Sequence, residues 1–218
     1  MSLEVNRLHH PVTALGPGVR AGIWVQGCSI ECSGCIARDT WQAGRHAPTD
    51  VTSIVEWVAS LPADELSGVT ISGGEPFDQP DSLLELLVGL TEWREEEGRA
   101  REIDVLCYSG YALRRLKRLH ADVLAHIDAV ITGPYREDRP TDLIWRGSAN
   151  QDLVPLTALG HARYASYIES EPSEPPIQIS VETDAIHWIG VPRRGDLADL
   201  ESRLGSVGVK LGAPSWRR

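Results

Sequence analysis

The chain has 218 residues, 42% of them apolar and 24% charged, and a formal net charge of -10 at pH 7. This ordinary globular composition excludes a disordered, collagen-like or disulfide-dense chain. The acidic balance argues against a nucleic-acid partner, which calls for clustered Lys and Arg, and no run of about 18 apolar residues suggests a membrane span. The start, Met1-Ser2-Leu3-Glu4, carries no basic segment followed by an apolar one, so the expectation is a cytoplasmic protein without a membrane partner.

Residues 19–27 read as a strand that ends at Gly27, directly before Cys28. Val51, Ile54, Val55 and Val58 recur at helical spacing. A β-rich run over 68–72 leads into Gly73-Gly74, and Pro80-Asp81 open a helix carrying Leu83, Leu84, Leu86, Leu87, Leu90 and Trp93. That helix stops in the solvated run 95–99. Ile103 to Tyr108 is a third strand. Leu113, Leu116, Val123, Leu124 and Ile127 suggest one helix broken near His120, and Asp128 to Thr132 is a fourth strand closed by Gly133-Pro134. Strands alternating with helices predict an α/β fold with a parallel sheet, whose chemistry gathers at the carboxyl ends of the strands. Beyond a Pro-rich exposed connector, Ser170 to Pro176, two β-like runs (177–181 and Ala185 to Val191) and a helix from Asp196 to Leu204 predict a small β-hairpin-plus-helix appendage. The expected division is 1–155 for the main domain and 156–218 for the C-terminal extension.

Of the four cysteines, Cys28, Cys32 and Cys35 lie in one short loop. A disulfide framework would spread them; a cluster reads better as metal or redox chemistry. A structural zinc site wants four ligands, commonly as two separated pairs. Three thiolates in one loop suit three corners of an iron–sulfur cubane, leaving the fourth iron open. Cys107 or His46 could instead complete a zinc site. Cys107, inside Val105-Leu106-Cys107, reads primarily as a buried core thiol.

The segment Gly27-Cys28-Ser29-Ile30-Glu31-Cys32-Ser33-Gly34-Cys35 resembles the signature of the radical S-adenosylmethionine superfamily. Gly16-Pro17-Gly18-Val19-Arg20 resembles the opening of its glycyl-radical-enzyme activases, Ser72-Gly73-Gly74-Glu75-Pro76 its Gly-Gly-Glu-Pro element, and Tyr108-Ser109-Gly110-Tyr111 its Thr-Gly-Tyr strand end. Gly133-Pro134-Tyr135 and 145–151 are most similar to the anaerobic ribonucleotide reductase activating branch. The resemblance spans about residues 14–152. It implies a partial (incomplete) parallel β/α barrel, a 4Fe-4S cluster on Cys28, Cys32 and Cys35, and S-adenosylmethionine on the open iron. It further implies that Gly73 and Gly74 leave the strand-end backbone bare, so that its carbonyls and Glu75 accept from the S-adenosylmethionine ammonium, with Pro76 completing the element. Ile36 would give the adenine an apolar contact, where the superfamily often has an aromatic residue. Ser109 could touch the ribose or cap the strand end, and Arg146 could pair with the S-adenosylmethionine carboxylate or a partner loop. Asn150 and Gln151 would satisfy loop backbone, and Trp24 and Trp41 would pack under the cysteine loop.

The implied activity is reductive cleavage of S-adenosylmethionine to a 5′-deoxyadenosyl radical. That radical would generate a glycyl radical on a large glycyl-radical enzyme such as anaerobic ribonucleotide reductase, with a flavodoxin- or ferredoxin-type electron donor. Two alternatives stand beside it: the same chemistry on a peptide or small molecule, and a non-catalytic iron–sulfur or zinc module that binds a partner. Residues 153–218 follow the resembling stretch, longer than this branch commonly carries, and their role is open.

Overall fold

The computed structural model describes residues 1–99, 102–182, 186–212 and 214–215. Strands β1 (Ser2–Leu3) and β2 (Val5–Val12) precede β3 (Val19–Val25). Strand β4 (Thr49–Asp50) pairs with β1 and runs into helix α1 (Val51–Ala59), whose cap Asp50 accepts from the Thr52 N–H. Then come β5 (Leu66–Gly73), α2 (Pro80–Glu96), β6 (Asp104–Ser109), α3 (Leu113–Leu119), α4 (Ala121–Leu124) and β7 (Ala129–Thr132). The chain continues through β8 (Asp152–Pro155), α5 (Ala158–Tyr164), β9 (Ile177–Val181), β10 (Ile186–Gly190) and α6 (Asp196–Ser206).

Among the described residues the main sheet runs β2-β3-β5-β6-β7-β8. Its four inner strands are parallel, as the alternating pattern predicts, and are joined by crossovers through α1, α2 and the α3–α4 pair. The two outer strands are antiparallel and were not anticipated. Strand β2 mixes Asn6, Arg7, His9 and His10 among its apolar residues, and β8 is only four residues long, so neither carries a clean alternation. The edges do not pair with each other, so the fold is a mixed α/β layer built on an open sheet.

The inner strands read as unbroken apolar runs because both faces are covered. Val105, Cys107 and Val130 face α1, α2 and the α3–α4 pair in the larger core, together with Ile54, Val58, Leu83, Leu86, Leu87 and Leu90. Leu106, Ala129 and Ile131 point the other way, onto Trp145 and Tyr164. The break between α3 and α4 falls at His120, as predicted, and its ring lies 5.3 Å from that of Phe77. On the second face Arg20 is fully buried and donates to both carboxylate oxygens of Asp104, at 2.7 and 3.2 Å, while its Nε donates to Thr70 Oγ1 at 2.6 Å. Arg163 donates to Asp104 at 2.9 Å, and Tyr164 Oη also donates to it. Arg20, part of the opening motif, thus pins the amino-terminal half of the sheet.

The predicted hairpin forms as β9 and β10, and the predicted helix as α6; Ala185 lies outside the described residues. Ile189 packs with Val12, Ala14 and Leu15, which fixes the hairpin to the β2–β3 side of the molecule.

Candidate functional site

The loops leaving β3, β5, β6 and β7 line one cavity of about 1080 Å3. It brings together Cys28, Cys32 and Cys35, the strand end Gly73-Gly74-Glu75, and Ser109-Gly110. Gathering at the carboxyl ends of parallel strands is the arrangement the topology predicts.

The cysteine loop is tied down at both ends. The Gly27 N–H donates to Thr40 O at 2.8 Å and the Cys28 N–H to Trp41 O at 3.0 Å. Gln26, fully buried, donates from Nε2 to Asp39 O and Gln42 O at 3.1 and 2.7 Å, and its Oε1 accepts from Asn6 Nδ2. Asp78 accepts from the Ser29 N–H at 2.7 Å, the Ser29 hydroxyl at 3.0 Å and the Tyr111 hydroxyl at 2.6 Å, so it clamps the loop to the end of β6. Glu31, between the first two cysteines, takes a left-handed backbone with φ of 47°, uncommon for a residue with a side chain. Gln26 and Asp78 escaped the sequence reading. An acid two residues past Pro76 was the available hint for Asp78.

The glycine pair is required by backbone proximity. A Cβ on Gly74 would sit 2.0 Å from Gly27 O, and one on Gly73 2.6 Å from Val25 O, with Gly73 at a φ of 101°. The Glu75 N–H donates to Gly27 O and the Gly74 N–H to Val25 O, both at 2.9 Å, so the two strand ends are sewn together where a methyl group would intrude. The glycines are therefore required by the approach of two strand ends, because the space a side chain would need is already filled by protein.

Glu75 is also turned inward. It is 1% exposed; Oε1 accepts from Ser109 Oγ at 2.9 Å and from the Phe77 N–H at 3.1 Å, and Oε2 accepts from the Gly110 N–H at 2.7 Å. Burial pushes its carboxyl up to about 7, against the pull of these donors. The carboxylate staples the end of β5 to the end of β6, although it still borders the cavity. Ser109 Oγ also accepts from the Tyr111 N–H at 3.0 Å, a strand-end cap on the cavity wall. Pro76 is buried and opens the 3-10 turn Pro76–Asp78.

Ile36 lines the cavity, and its carbonyl accepts from Ser215 Oγ at 2.8 Å. Arg146 does not line it. Its guanidinium donates to the carbonyls of Ile144, Tyr167 and Ile168, at 3.3, 3.2 and 2.5 Å, and so braces the turn after α5. Among the described residues, the arginine bordering the cavity is Arg7, on β2. Asn150 donates to Pro134 O at 2.8 Å, and Gln151 accepts from the Gly147 N–H at 2.8 Å while donating to Gly133 O at 3.0 Å, as loop satisfiers do. Trp24 and Trp41 line the same cavity.

All four cysteines are free thiols, and Cys107 is buried in the core. Burial pushes the thiols of Cys28 and Cys32 up; backbone N–H groups of Glu31 and Ile30 at Cys28, and of Tyr135 at Cys32, act in the opposite direction. A thiol kept protonated by burial is a poor redox nucleophile, whereas amides aimed at sulfur suit an anionic metal–thiolate centre. Among the described residues no three His, Cys, Asp or Glu side chains converge on a point that could hold one metal ion. His46 is exposed, and the zinc alternative finds no ligand set there. Three free thiols from one short loop border a single cavity, so the residues present fit a 4Fe-4S cluster.

A family model described as "4Fe-4S single cluster domain" matches residues 14–154. The chain belongs to that family. Within it, the chain is similar to the anaerobic ribonucleoside-triphosphate reductase-activating protein of Enterobacteria phage T4, at 33% identity over 63% of this chain and 85% of that protein. The proteins of the same name from Pasteurella multocida and Escherichia coli strain K12 are 31% and 30% identical, over 65% and 66% of this chain and 90% and 93% of theirs. Among solved structures, that titled "Crystal structure of QueE from Escherichia coli" aligns at 16% identity with a TM-score of 0.37, over 62% of this chain and 73% of that one, a likeness too loose to argue from. The 4Fe-4S single cluster match stops at residue 154, before α5, the hairpin and α6.

Proposed function

We propose that this chain is a radical S-adenosylmethionine activase that makes a glycyl radical on a partner enzyme such as an anaerobic ribonucleotide reductase. The observation that carries the reading is the meeting, in one cavity, of three free cysteines from one short loop with the Gly73-Gly74-Glu75 strand end. Cys28, Cys32 and Cys35 would hold a 4Fe-4S cluster, which when bound and reduced would supply the one electron that cleavage of S-adenosylmethionine to methionine and a 5′-deoxyadenosyl radical requires. The chain's own residues do the placing. Asp78 and Gln26 hold the cysteine loop, Glu75 locks two strand ends beside it, and Ile36 and Ile30 offer apolar wall. The carbonyls at Gly73 and Gly74 are the acceptors for the ammonium group. A partial β/α barrel with this cavity at its mouth, the division at residue 155, and a flavodoxin- or ferredoxin-type donor belong to the same proposal. The described residues include no helix long and apolar enough to cross a membrane.

The test is anaerobic reconstitution with iron and sulfide, then dithionite and S-adenosylmethionine. Release of 5′-deoxyadenosine is expected, followed by a glycyl-radical signal in electron paramagnetic resonance when a candidate reductase is added. Loaded protein that leaves S-adenosylmethionine intact refutes the enzyme reading and favours the binding module.

A further inference from the structure

Resting on the activase reading, we infer that the C-terminal extension builds a second, apolar chamber onto the cluster cavity, and that this chamber holds an extended partner peptide with an apolar side chain beside the target glycine. The register pairs Val181 with Ile186 and Ile179 with Trp188, so these four share one face of the β9–β10 hairpin. The opposite face is already occupied: Ile189 packs on Val12, Ala14 and Leu15, and Gln178 accepts from the Thr13 N–H while donating to Pro11 O. The free face borders the cavity that contains the cysteines, and so do Leu197, Leu200 and Leu204, at helical spacing on one side of α6. Ser215 donates to Ile36 O, tying the far end of the extension to the residue after Cys35.

Ile179, Val181 and Ile186 are 51%, 73% and 52% exposed, an apolar rim that a soluble surface does not ordinarily gather at one place. The whole cavity slightly exceeds the roughly 300–1,000 Å3 of ordinary small-ligand pockets, leaving room for a second occupant beside S-adenosylmethionine. A peptide fits better than a hydrocarbon tail. Trp41 Nε1, Tyr108 Oη and Trp188 Nε1 belong to cavity-lining residues, are buried, and find no partner among the described residues. Indole N–H groups can only donate, and a peptide brings a carbonyl at every residue where a hydrocarbon brings none. The hairpin strands pair only with each other among the described residues, leaving an edge for strand addition.

The test uses the anaerobically loaded full chain and two capped nonapeptides with a central glycine, one flanked by Val and Ile, the other by Ser and Asp. Fluorescence anisotropy should show the apolar peptide binding roughly tenfold more tightly. Val181→Asp and Ile186→Asp, both at exposed positions that tolerate a charge, should each erase that preference, while Val207→Asp, exposed on the extension but outside the cavity wall, should preserve it. Equal binding of the two peptides, or a preference that survives both substitutions, overturns the inference. So does tighter binding of dodecanoate than of either peptide. Release of 5′-deoxyadenosine is measured separately on the unmodified chain, so failure of the activase chemistry is told apart from failure of the peptide chamber.

Discussion

Gly74→Ala separates a backbone requirement from a ligand requirement. The new methyl group would lie 2.0 Å from Gly27 O, 2.7 Å from Gly27 C and 3.1 Å from Thr40 O, all backbone atoms that cannot swing aside like a side chain. Relief requires the end of β5 to part from the start of the cysteine loop. Overpacking of this kind costs about 1–3 kcal/mol. Losing the 2.9 Å bond from Glu75 N–H to Gly27 O costs about 1 kcal/mol more. A total of about 2–4 kcal/mol lowers the melting temperature of a chain this size by roughly 5–15 °C. The assay is thermal and urea unfolding of the iron-free protein, with no S-adenosylmethionine present, alongside iron content after reconstitution. Both stability and iron loading should fall. A variant with unaltered iron-free stability and full iron, defective only in S-adenosylmethionine cleavage, would refute the reasoning and return the glycine to the ligand.

Asp104→Asn leaves the fully buried Arg20 facing a neutral amide, and should cost about 3–5 kcal/mol in urea unfolding; a loss under 1 kcal/mol would mean the pair contributes little. Glu75 keeps its proton up to about pH 7 when folded, against an ordinary value of 4.5, so the native state binds more protons than the unfolded chain between those limits. Stability should therefore fall as pH rises through that window, by up to about 3 kcal/mol, and Glu75→Gln should flatten that part of the profile; identical slopes in the two proteins would contradict the burial argument. Cys28→Ala should abolish iron–sulfur absorbance, whereas Cys107→Ala should retain it and lose only about 1 kcal/mol of stability for the small core void.

The elements that carry the cavity were legible because each has a local signature. Helix α2 announces itself through Pro80 and its leucine stripe, the α3–α4 break through an interrupted period at His120, and β6 and β7 through apolar runs ending in Gly110 and Gly133. The extension was legible too, since turn residues bracket two β-rich runs. What stayed hidden depends on partners far along the chain. Glu75 is claimed by Ser109 and Gly110, 34 and 35 residues away, and Arg146 by carbonyls 21 and 22 residues away. Such intramolecular partners are invisible in a motif until the strands lie side by side. The edge strands escaped for a related reason: β2 and β8 gain regularity from a neighbour rather than from their own pattern.

The anchoring of the cysteine loop bears on how the protein is made competent. Gln26, Thr40, Trp41 and Asp78 fasten its ends through bonds that involve no iron. Small zinc modules, by contrast, gain their shape only when metal arrives. Because these anchors are bonds between protein groups, iron-free protein should keep its helical circular dichroism, and fresh iron and sulfide should restore the cluster absorbance.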